Sequence, residues 1–198
     1  MGMGEPLLNY NNLLESVEKI TSKDGLGMSA KRITVSTAGI ANKIKRLADD
    51  NVRFNLALSL HAANDLKRNK IMPINESNNL EALKEALKYF YQKTKIKPTF
   101  EYIIFKNFND EIQDAVELYE FCKAIPSKIN IIEYNSIDNG VYQQADPEKV
   151  DAFADFLESK NITVNIRRSR GKDIDAACGQ LANKNEAINK EDVFYKNS

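Results

Sequence analysis

The most concentrated chemical signal in the sequence lies near its carboxyl terminus. Four cations, Arg167, Arg168, Arg170 and Lys172, are followed closely by Cys178. Guanidinium and ammonium groups bind RNA phosphates, and a nearby positive charge lowers the pKa of a thiol because it stabilises the thiolate. The pattern therefore indicates an RNA-binding segment next to a reactive cysteine. A solvated charged loop beside a structural cysteine is the alternative interpretation of the same residues.

A second signal lies at the amino terminus. Gly2 and Gly4 are separated by one residue and are followed by Glu5 and Pro6. Glycines lack a Cβ atom, so a ligand can approach the backbone closely there. The pattern lacks the third glycine of a dinucleotide-binding fingerprint. A glycine turn of this kind normally leaves a strand, and none precedes it, so we expect the chain to be truncated at its amino-terminal end.

Helical and extended hydrophobic patterns alternate along most of the chain, which predicts an α/β fold. Strands are predicted at 32–37, 52–60, 100–105, 129–134 and 162–166. Helices are predicted at 11–21, 39–48, 80–91, 112–122 and 147–157, with Asp110 as the cap of the fourth and Asp146 as the cap of the fifth. The segment 62–78 is predicted to be a polar connection. Strands that alternate with helices imply a parallel sheet, either open or a partial barrel.

Ligands of such folds bind at the carboxyl ends of the strands. Small, neutral polar residues dominate these positions: Ser36, Thr37, Gly39, Ser59, Leu60, His61, Asn107, Asn109, Asn135 and Ser136. Neutral hydrogen-bonding groups suit an uncharged or zwitterionic ligand, such as a nucleoside or an amino acid. Turn composition accounts equally well for any one of them. A serine hydrolase is disfavoured because His61 has no identifiable triad partner.

Composition restricts the remaining classes. The 198 residues contain 28 Lys and Arg against 28 Asp and Glu, and 42% are hydrophobic, which predicts one folded domain without a membrane span. Two cysteines cannot supply a disulfide framework, an iron–sulfur cluster or a structural zinc site, so we expect a protein of the reducing cytoplasm. Cys122 lies on an apolar helical stripe and is interpreted as structural. Residues 183–198 are interpreted as a flexible tail.

Five segments together resemble the radical S-adenosylmethionine (SAM) methyltransferases that methylate adenine in ribosomal and transfer RNA. The segments are GMGEPL at 2–7, VSTAG at 35–39, LSLHA at 58–62, RRSRG at 167–171 and ACGQL at 177–181. Each is common alone, but five in one order over residues 1–182 are specific. The resemblance implies a partial (β/α) barrel of the radical SAM type, truncated at its amino-terminal strands, in an incomplete domain spanning residues 1–182.

The resemblance also implies roles for individual residues. The SAM contacts would be Gly4, Glu5, Ser36, Ser59, Leu60, His61 and Asn135, and the methyl-carrying residue would be Cys178. In this family one SAM methylates the cysteine, and a second is cleaved at a reduced [4Fe-4S] cluster to start a radical transfer of carbon to adenine. A radical route is needed because C2 of adenine is electron-poor and its hydrogen is not acidic.

The sequence lacks several parts of that family's pattern. The C-x-x-x-C-x-x-C motif that binds the [4Fe-4S] cluster and the second, resolving cysteine that forms the family's disulfide bond both lie upstream of the glycine motif in full-length members. We therefore expect a carboxyl-terminal fragment, inactive alone, of an enzyme that methylates C2 of adenine in 23S rRNA and tRNA. The resemblance implies an electron donor such as flavodoxin, and the exposed edge of the first strand predicts self-association. The sister C8 methyltransferase and a non-catalytic nucleoside- or RNA-binding module remain as alternatives.

Overall fold

The computed structural model describes residues 4–135 and 141–168, and it confirms the α/β class. Five parallel strands form one sheet in the order β1-β2-β3-β4-β5. The strands are β1 (Thr34–Thr37), β2 (Asn55–Ser59), β3 (Thr99–Ile104), β4 (Lys128–Glu133) and β5 (Thr163–Arg167). The helices are α1 (Tyr10–Thr21), α2 (Ala41–Asp49), α3 (Asp65–Ile71), α4 (Leu80–Thr94), α5 (Ile112–Cys122) and α6 (Pro147–Ser159). Short 3-10 helices occupy Pro6–Asn9, Ala30–Arg32 and Pro73–Glu76.

The sequential strand order gives the sheet two different faces. Right-handed crossovers between neighbouring parallel strands bring the helices to one face, as in a barrel wall. On that covered face, Leu58, Phe100 and Ile131 are completely buried. Glu101 and Asn130, which alternate with them on the open face, are half-buried and polar. Strands β1 to β4 terminate at one end of the sheet, which we call the carboxyl-terminal edge.

The helices begin and end at conventional signals. The Asn79 side chain accepts a hydrogen bond from the Ala82 amide at 3.0 Å and caps α4, which ends where Lys95 adopts a left-handed conformation with φ of 60°. The cap predicted for α5 was wrong by one residue. Glu111 rather than Asp110 is its N-cap, because the Glu111 amide donates to the Asp114 carboxylate at 3.3 Å in a reciprocal capping box.

The predicted polar connection at 62–78 was also wrong, since it contains α3 and the 3-10 helix Pro73–Glu76. Helix α3 does not show the apolar stripe by which helices are recognised in sequences. Its leucine, Leu66, is 77% exposed, whereas its one buried residue is the cation Arg68. Hydrophobic periodicity could not find a helix that buries a guanidinium group.

Candidate cofactor site

Hydrogen bonds of Glu5 connect the amino-terminal segment that contains Gly4 to the end of β1. The Glu5 carboxylate accepts hydrogen bonds from the Thr37 hydroxyl at 2.7 Å, the Ala38 amide at 2.6 Å and the Leu7 amide at 3.0 Å. The preceding Gly4 has φ of 107°, a conformation that L side chains rarely adopt, and a Cβ atom added there would meet nothing within 4 Å. The glycine pattern thus leaves an exposed backbone segment at the carboxyl-terminal edge, and Glu5 holds that segment in place.

Ser36 and Ser59 lie near the ends of neighbouring strands, on the open face. The register pairs Ser36 with Ala57, two residues before Ser59, so both hydroxyl groups belong to one edge of the sheet. Both serines are half-buried. Leu60 differs, because its side chain is completely buried and its amide donates to the Glu101 carbonyl at 3.0 Å. Leu60 therefore contributes to this site through its backbone position between Ser59 and His61.

His61 adopts a left-handed conformation with φ of 57° directly after β2. Its Nδ1 atom accepts a hydrogen bond from the Ile103 amide at 3.2 Å, and its carbonyl accepts one from the Asn109 side chain at 2.7 Å. Burial, and then the nearby charge of Arg68, lower the pKa of His61 from 6.5 to about 4. The imidazole is therefore neutral near pH 7. Since Nδ1 is an acceptor, its proton is on Nε2.

The side chain of Asn109 stabilises the loop that follows β3. The Asn109 side chain accepts from the Phe105 amide at 2.7 Å and donates to the carbonyls of Ile103 at 2.9 Å and His61 at 2.7 Å. It is completely buried and belongs to the scaffold of the edge. Asn135 follows β4 and is half-buried. Three strand ends, those of β1, β2 and β4, therefore bring Ser36, Ser59, His61 and Asn135 to the same edge of the sheet.

Sequence reasoning missed the cation beneath this edge. The guanidinium group of Arg68 is completely buried and donates four hydrogen bonds, three of them to backbone carbonyls that follow or end β1 and β2. Its acceptors are the carbonyls of Ala38 (2.7 Å), Ser59 (3.2 Å) and Leu60 (3.1 Å) and the amide oxygen of Asn75 (2.7 Å). The only signal in the sequence was an arginine seven residues after His61, and in the sequence that residue is indistinguishable from a surface arginine.

Sequence and structure comparisons place this geometry among known proteins. A protein of Cytophaga hutchinsonii, described as a probable dual-specificity RNA methyltransferase RlmN, is 61% identical over 182 residues, which are 92% of this chain and 50% of that protein. The dual-specificity RNA methyltransferase RlmN of Nautilia profundicola is 43% identical over 190 residues, which are 96% of this chain and 53% of that protein. No family model matches the chain.

A solved structure agrees with those sequences. The crystal structure of a radical SAM methyltransferase from Sphaerobacter thermophilus superimposes with a TM-score of 0.86 at 35% identity, over 91% of this chain and 53% of that one. The chain belongs to the RlmN family. It spans about half the length of the RlmN relatives that it matches. A domain of a pyruvate-formate lyase-activating enzyme from Bacteroides vulgatus, 13% identical with a TM-score of 0.65, shares the fold alone.

The RlmN assignment implies SAM, and the described edge fits it. SAM is a sulfonium nucleoside with a zwitterionic amino-acid group, and the edge offers the bare backbone of Gly4, the serine hydroxyls and a neutral imidazole donor. A [4Fe-4S] cluster does not fit this chain, which contains only two cysteines. Cys122 is buried in the core, where burial raises the pKa of its thiol to about 12. Within residues 4–135 and 141–168, no group of three metal-ligating side chains occurs.

The open face carries a ladder of polar side chains next to this edge, which we call the open-face ladder: Glu101, Asn130, Asn165 and Arg167. Asn130 donates to the Glu101 carboxylate at 2.8 Å, and Asn165 donates to Asn130 at 3.4 Å. The second carboxylate oxygen of Glu101 is buried without a hydrogen-bond partner, and an Arg167 nitrogen lies 3.6 Å from it. Arg167 thus contacts the ladder.

Two of the four predicted RNA-binding cations are within the described residues. Both are more than half exposed, and both lie near carboxylates. Arg168 contacts Asp151 at 2.6 Å and lies 3.9 Å from Glu133. Arg170, Lys172 and Cys178 lie outside the described residues, as do Ser136 and the predicted tail at 183–198. None of the helices in the described part of the chain is long and apolar enough to cross a membrane.

Proposed function

We propose that this chain is the carboxyl-terminal part of a radical SAM enzyme that methylates C2 of adenine in 23S rRNA and tRNA. The observation that carries the proposal is identity of 42% to 61% with relatives named as dual-specificity RNA methyltransferases, over nearly the whole chain. The neutral polar edge supports it, because a nucleoside cofactor is bound by hydrogen bonds rather than by compensating charges. The domain that does this comprises residues 1–182.

In this proposal the edge binds SAM through several short polar groups. Gly4 lets the methionine part of SAM approach the backbone, and the Glu5 carboxylate keeps that loop on Thr37 and Ala38. Ser36, Ser59 and the Leu60–His61 backbone contact its ribose and carboxylate. Asn135 binds the adenine of the cofactor. SAM supplies the methyl group when it is bound.

The remaining roles belong to the segment after β5. Cys178 accepts the methyl group on its sulfur and holds it for the RNA adenine. Arg167, Arg168, Arg170 and Lys172 bind RNA phosphates, which requires Arg168 to exchange its contact with Asp151 for RNA. Because the chain cannot bind the [4Fe-4S] cluster, we propose that it is inactive alone and that the longer protein uses an electron donor such as flavodoxin.

The decisive experiment compares the longer, cluster-loaded protein with the 198-residue chain on an RNA oligonucleotide. The longer protein should form 2-methyladenine, detected by mass spectrometry of the digested RNA against synthetic standards, and the chain alone should form none. Cys178→Ala should abolish methylation, whereas Cys122→Ala, which removes the buried structural thiol, should retain it. Formation of 8-methyladenine would assign the sister activity, and activity in Cys178→Ala would refute the cysteine relay.

A non-catalytic RNA-binding module is the second candidate, favoured by the exposed cations of the β5 end. Charge reversal at Arg168 and Arg170 should weaken RNA binding whether or not the protein is an enzyme. Only the enzyme should also lose methylation in Cys178→Ala. Binding that changes with the cations, together with no methylated adenine from the longer protein, would favour the module.

We also propose self-association through β1. Within the described residues this strand pairs with β2 alone, so its other edge presents unpaired amide and carbonyl groups. Light scattering of the 198-residue chain should show a concentration-dependent increase in mass. A monomer at every concentration, with fast amide exchange along 34–37, would contradict this.

A further inference from the structure

Arg68 is buried in an unusual way for a charged residue. It is 0% exposed, and no carboxylate oxygen lies within 4.0 Å of it among the described residues. Transfer of a charge from water to a protein interior costs several kcal/mol unless the charge is paired and fully hydrogen-bonded. Burial accordingly lowers the pKa of Arg68 to about 10, so the group still carries its charge at neutral pH. The carbonyl oxygens that it contacts and the nearby charge of Asp65 compensate the buried cation.

Those carbonyls belong to the two loops of the proposed cofactor site. Ala38 follows β1, Ser59 is the last residue of β2 and Leu60 follows it, so a single guanidinium group joins two strand ends that are distant in the sequence. The planar arrangement of its N–H groups gives each bond a fixed direction. Rotation of either loop would break one of these hydrogen bonds.

A second layer fixes the orientation of the guanidinium group. The amide oxygen of Asn75 accepts from Arg68 at 2.7 Å, and the amide nitrogen of Asn75 donates to Asp65 at 2.8 Å and to Asn69 at 2.6 Å. Asp65 in turn accepts from the Leu80 amide at 3.0 Å, at the start of α4. The guanidinium group is therefore connected through side chains to two helices and cannot reorient independently.

Arg68 also lowers the pKa of His61, the residue that directly follows the carbonyls of Ser59 and Leu60. After burial, the charge of Arg68 is the second cause that keeps the imidazole neutral. The Ile103 amide already occupies Nδ1. A neutral ring with an acceptor Nδ1 has its proton on Nε2, so Nε2 offers one hydrogen-bond donor and no charge.

We propose that Arg68 is a positioning residue of the cofactor site, which holds the strand ends of β1 and β2 so that Ser59 and the neutral Nε2–H of His61 donate hydrogen bonds to the oxygens of bound SAM. This inference rests on the proposed function, because only there are Ser59 and His61 cofactor contacts. In this proposal, the role of helix α3 is to place the positive charge of Arg68 beneath the edge.

The chain contains a single histidine, so nitrogen NMR of the labelled 198-residue protein reports His61 without overlap. The wild type should show a neutral ring protonated on Nε2 at pH 6 and a pKa near 4. Added SAM should shift the Nε2 signal. In Arg68→Met, the pKa of His61 should rise towards 6.5, and the dissociation constant for SAM should increase about tenfold or more.

Two further variants separate positioning from simple support of the fold. Arg68→Lys keeps the charge but offers fewer directed donors, so the pKa of His61 should stay low while SAM affinity falls to an intermediate value. Arg53→Gln removes an exposed arginine and should change neither quantity. Urea unfolding of each variant gives its folded fraction, so that affinity is compared between folded molecules only.

The outcomes are distinguishable. The test variant is Arg68→Met; if it does not fold, Arg68→Lys and Asn75→Ala replace it. If the variant lowers stability but leaves the His61 signal and the SAM affinity of the folded protein unchanged, Arg68 only supports the fold. That result would refute the inference. If the wild type shows the predicted His61 tautomer and yet SAM at millimolar concentration shifts no signal at the edge, the proposed cofactor site itself is refuted.

Discussion

The two faces of the sheet are formed by the same strands but are stabilised by different interactions. Along β3, the alternate residues Phe100 and Tyr102 are completely buried on the covered face, whereas Glu101 and Ile103 on the open face are half-buried. The covered face is held by apolar packing, for example the edge-to-face contact of Phe100 with Phe121 at 5.5 Å. The open face is held by side-chain hydrogen bonds across strands.

This difference separates the packed face of the sheet from the face next to the proposed cofactor site. A strand that buries both faces has an almost continuous apolar sequence, whereas β3 and β4 place the polar residues Glu101 and Asn130 on the open face, next to Ile103 and Ile132. The open face leads directly to the edge with Ser36, Ser59 and His61. Stability should therefore depend on the covered face, and ligand binding on the open face. Four experiments test that separation.

The largest effect is expected on the covered face. Phe100→Ala removes a completely buried ring and should lower the free energy of unfolding by about 3–5 kcal/mol, measured by urea denaturation. Thr99→Ala is the matched control, because it changes the preceding residue on the opposite face and should cost less than about 1 kcal/mol. Equal losses in both variants would contradict the division between the faces.

His61, which follows the end of β2, should make the free energy of unfolding depend on pH. Its pKa in the folded protein is about 4, below the 6.5 of an unfolded chain, so the unfolded state binds the proton first as the pH falls. The contribution is fully present above pH 6.5 and is lost between pH 6.5 and 4, by up to about 3 kcal/mol.

The matched variant for this measurement is His61→Asn, since asparagine tolerates the left-handed backbone at this position. Carboxylates titrate in both proteins, so the difference between their two profiles of unfolding free energy against pH isolates the imidazole. Parallel profiles between pH 6.5 and 4 would show that His61 is not held neutral by the fold.

The sequence predicted the sheet well because the hydrophobic pattern that indicates each strand lies within that strand. Strict alternation at 52–60 and the stripe of α4 follow from burial of one face, which each segment shows by itself. Arg68 could not be predicted in the same way. Its four acceptors come from three separate segments, and its helix lacks the apolar stripe, so only the assembled fold reveals the contact. The position of Glu5 against Thr37 is equally non-local.

A smaller effect is expected in the open-face ladder. Glu101→Gln keeps an oxygen that can accept from Asn130 but removes the charge near Arg167, and it should change the free energy of unfolding by less than about 1 kcal/mol. If the open face contributes to nucleoside binding, the same variant should weaken SAM binding, measured by NMR titration. A loss of stability comparable to that of Phe100→Ala would show that this face is part of the core.

The smallest effect on stability is expected for Arg167→Gln. Its ion pair with Glu101 is long, and the side chain is 58% exposed, so the pair should contribute less than about 0.5 kcal/mol in a double-mutant cycle with Glu101→Gln. RNA binding offers the sharper measurement. If Arg167 contacts an RNA phosphate in the longer protein, the slope of log affinity against log salt should decrease by about 0.7 to 0.9 for this variant. An unchanged slope, with an unchanged affinity, would assign Arg167 to the open-face ladder alone, because a cation that contacts no phosphate releases no counterion when RNA binds.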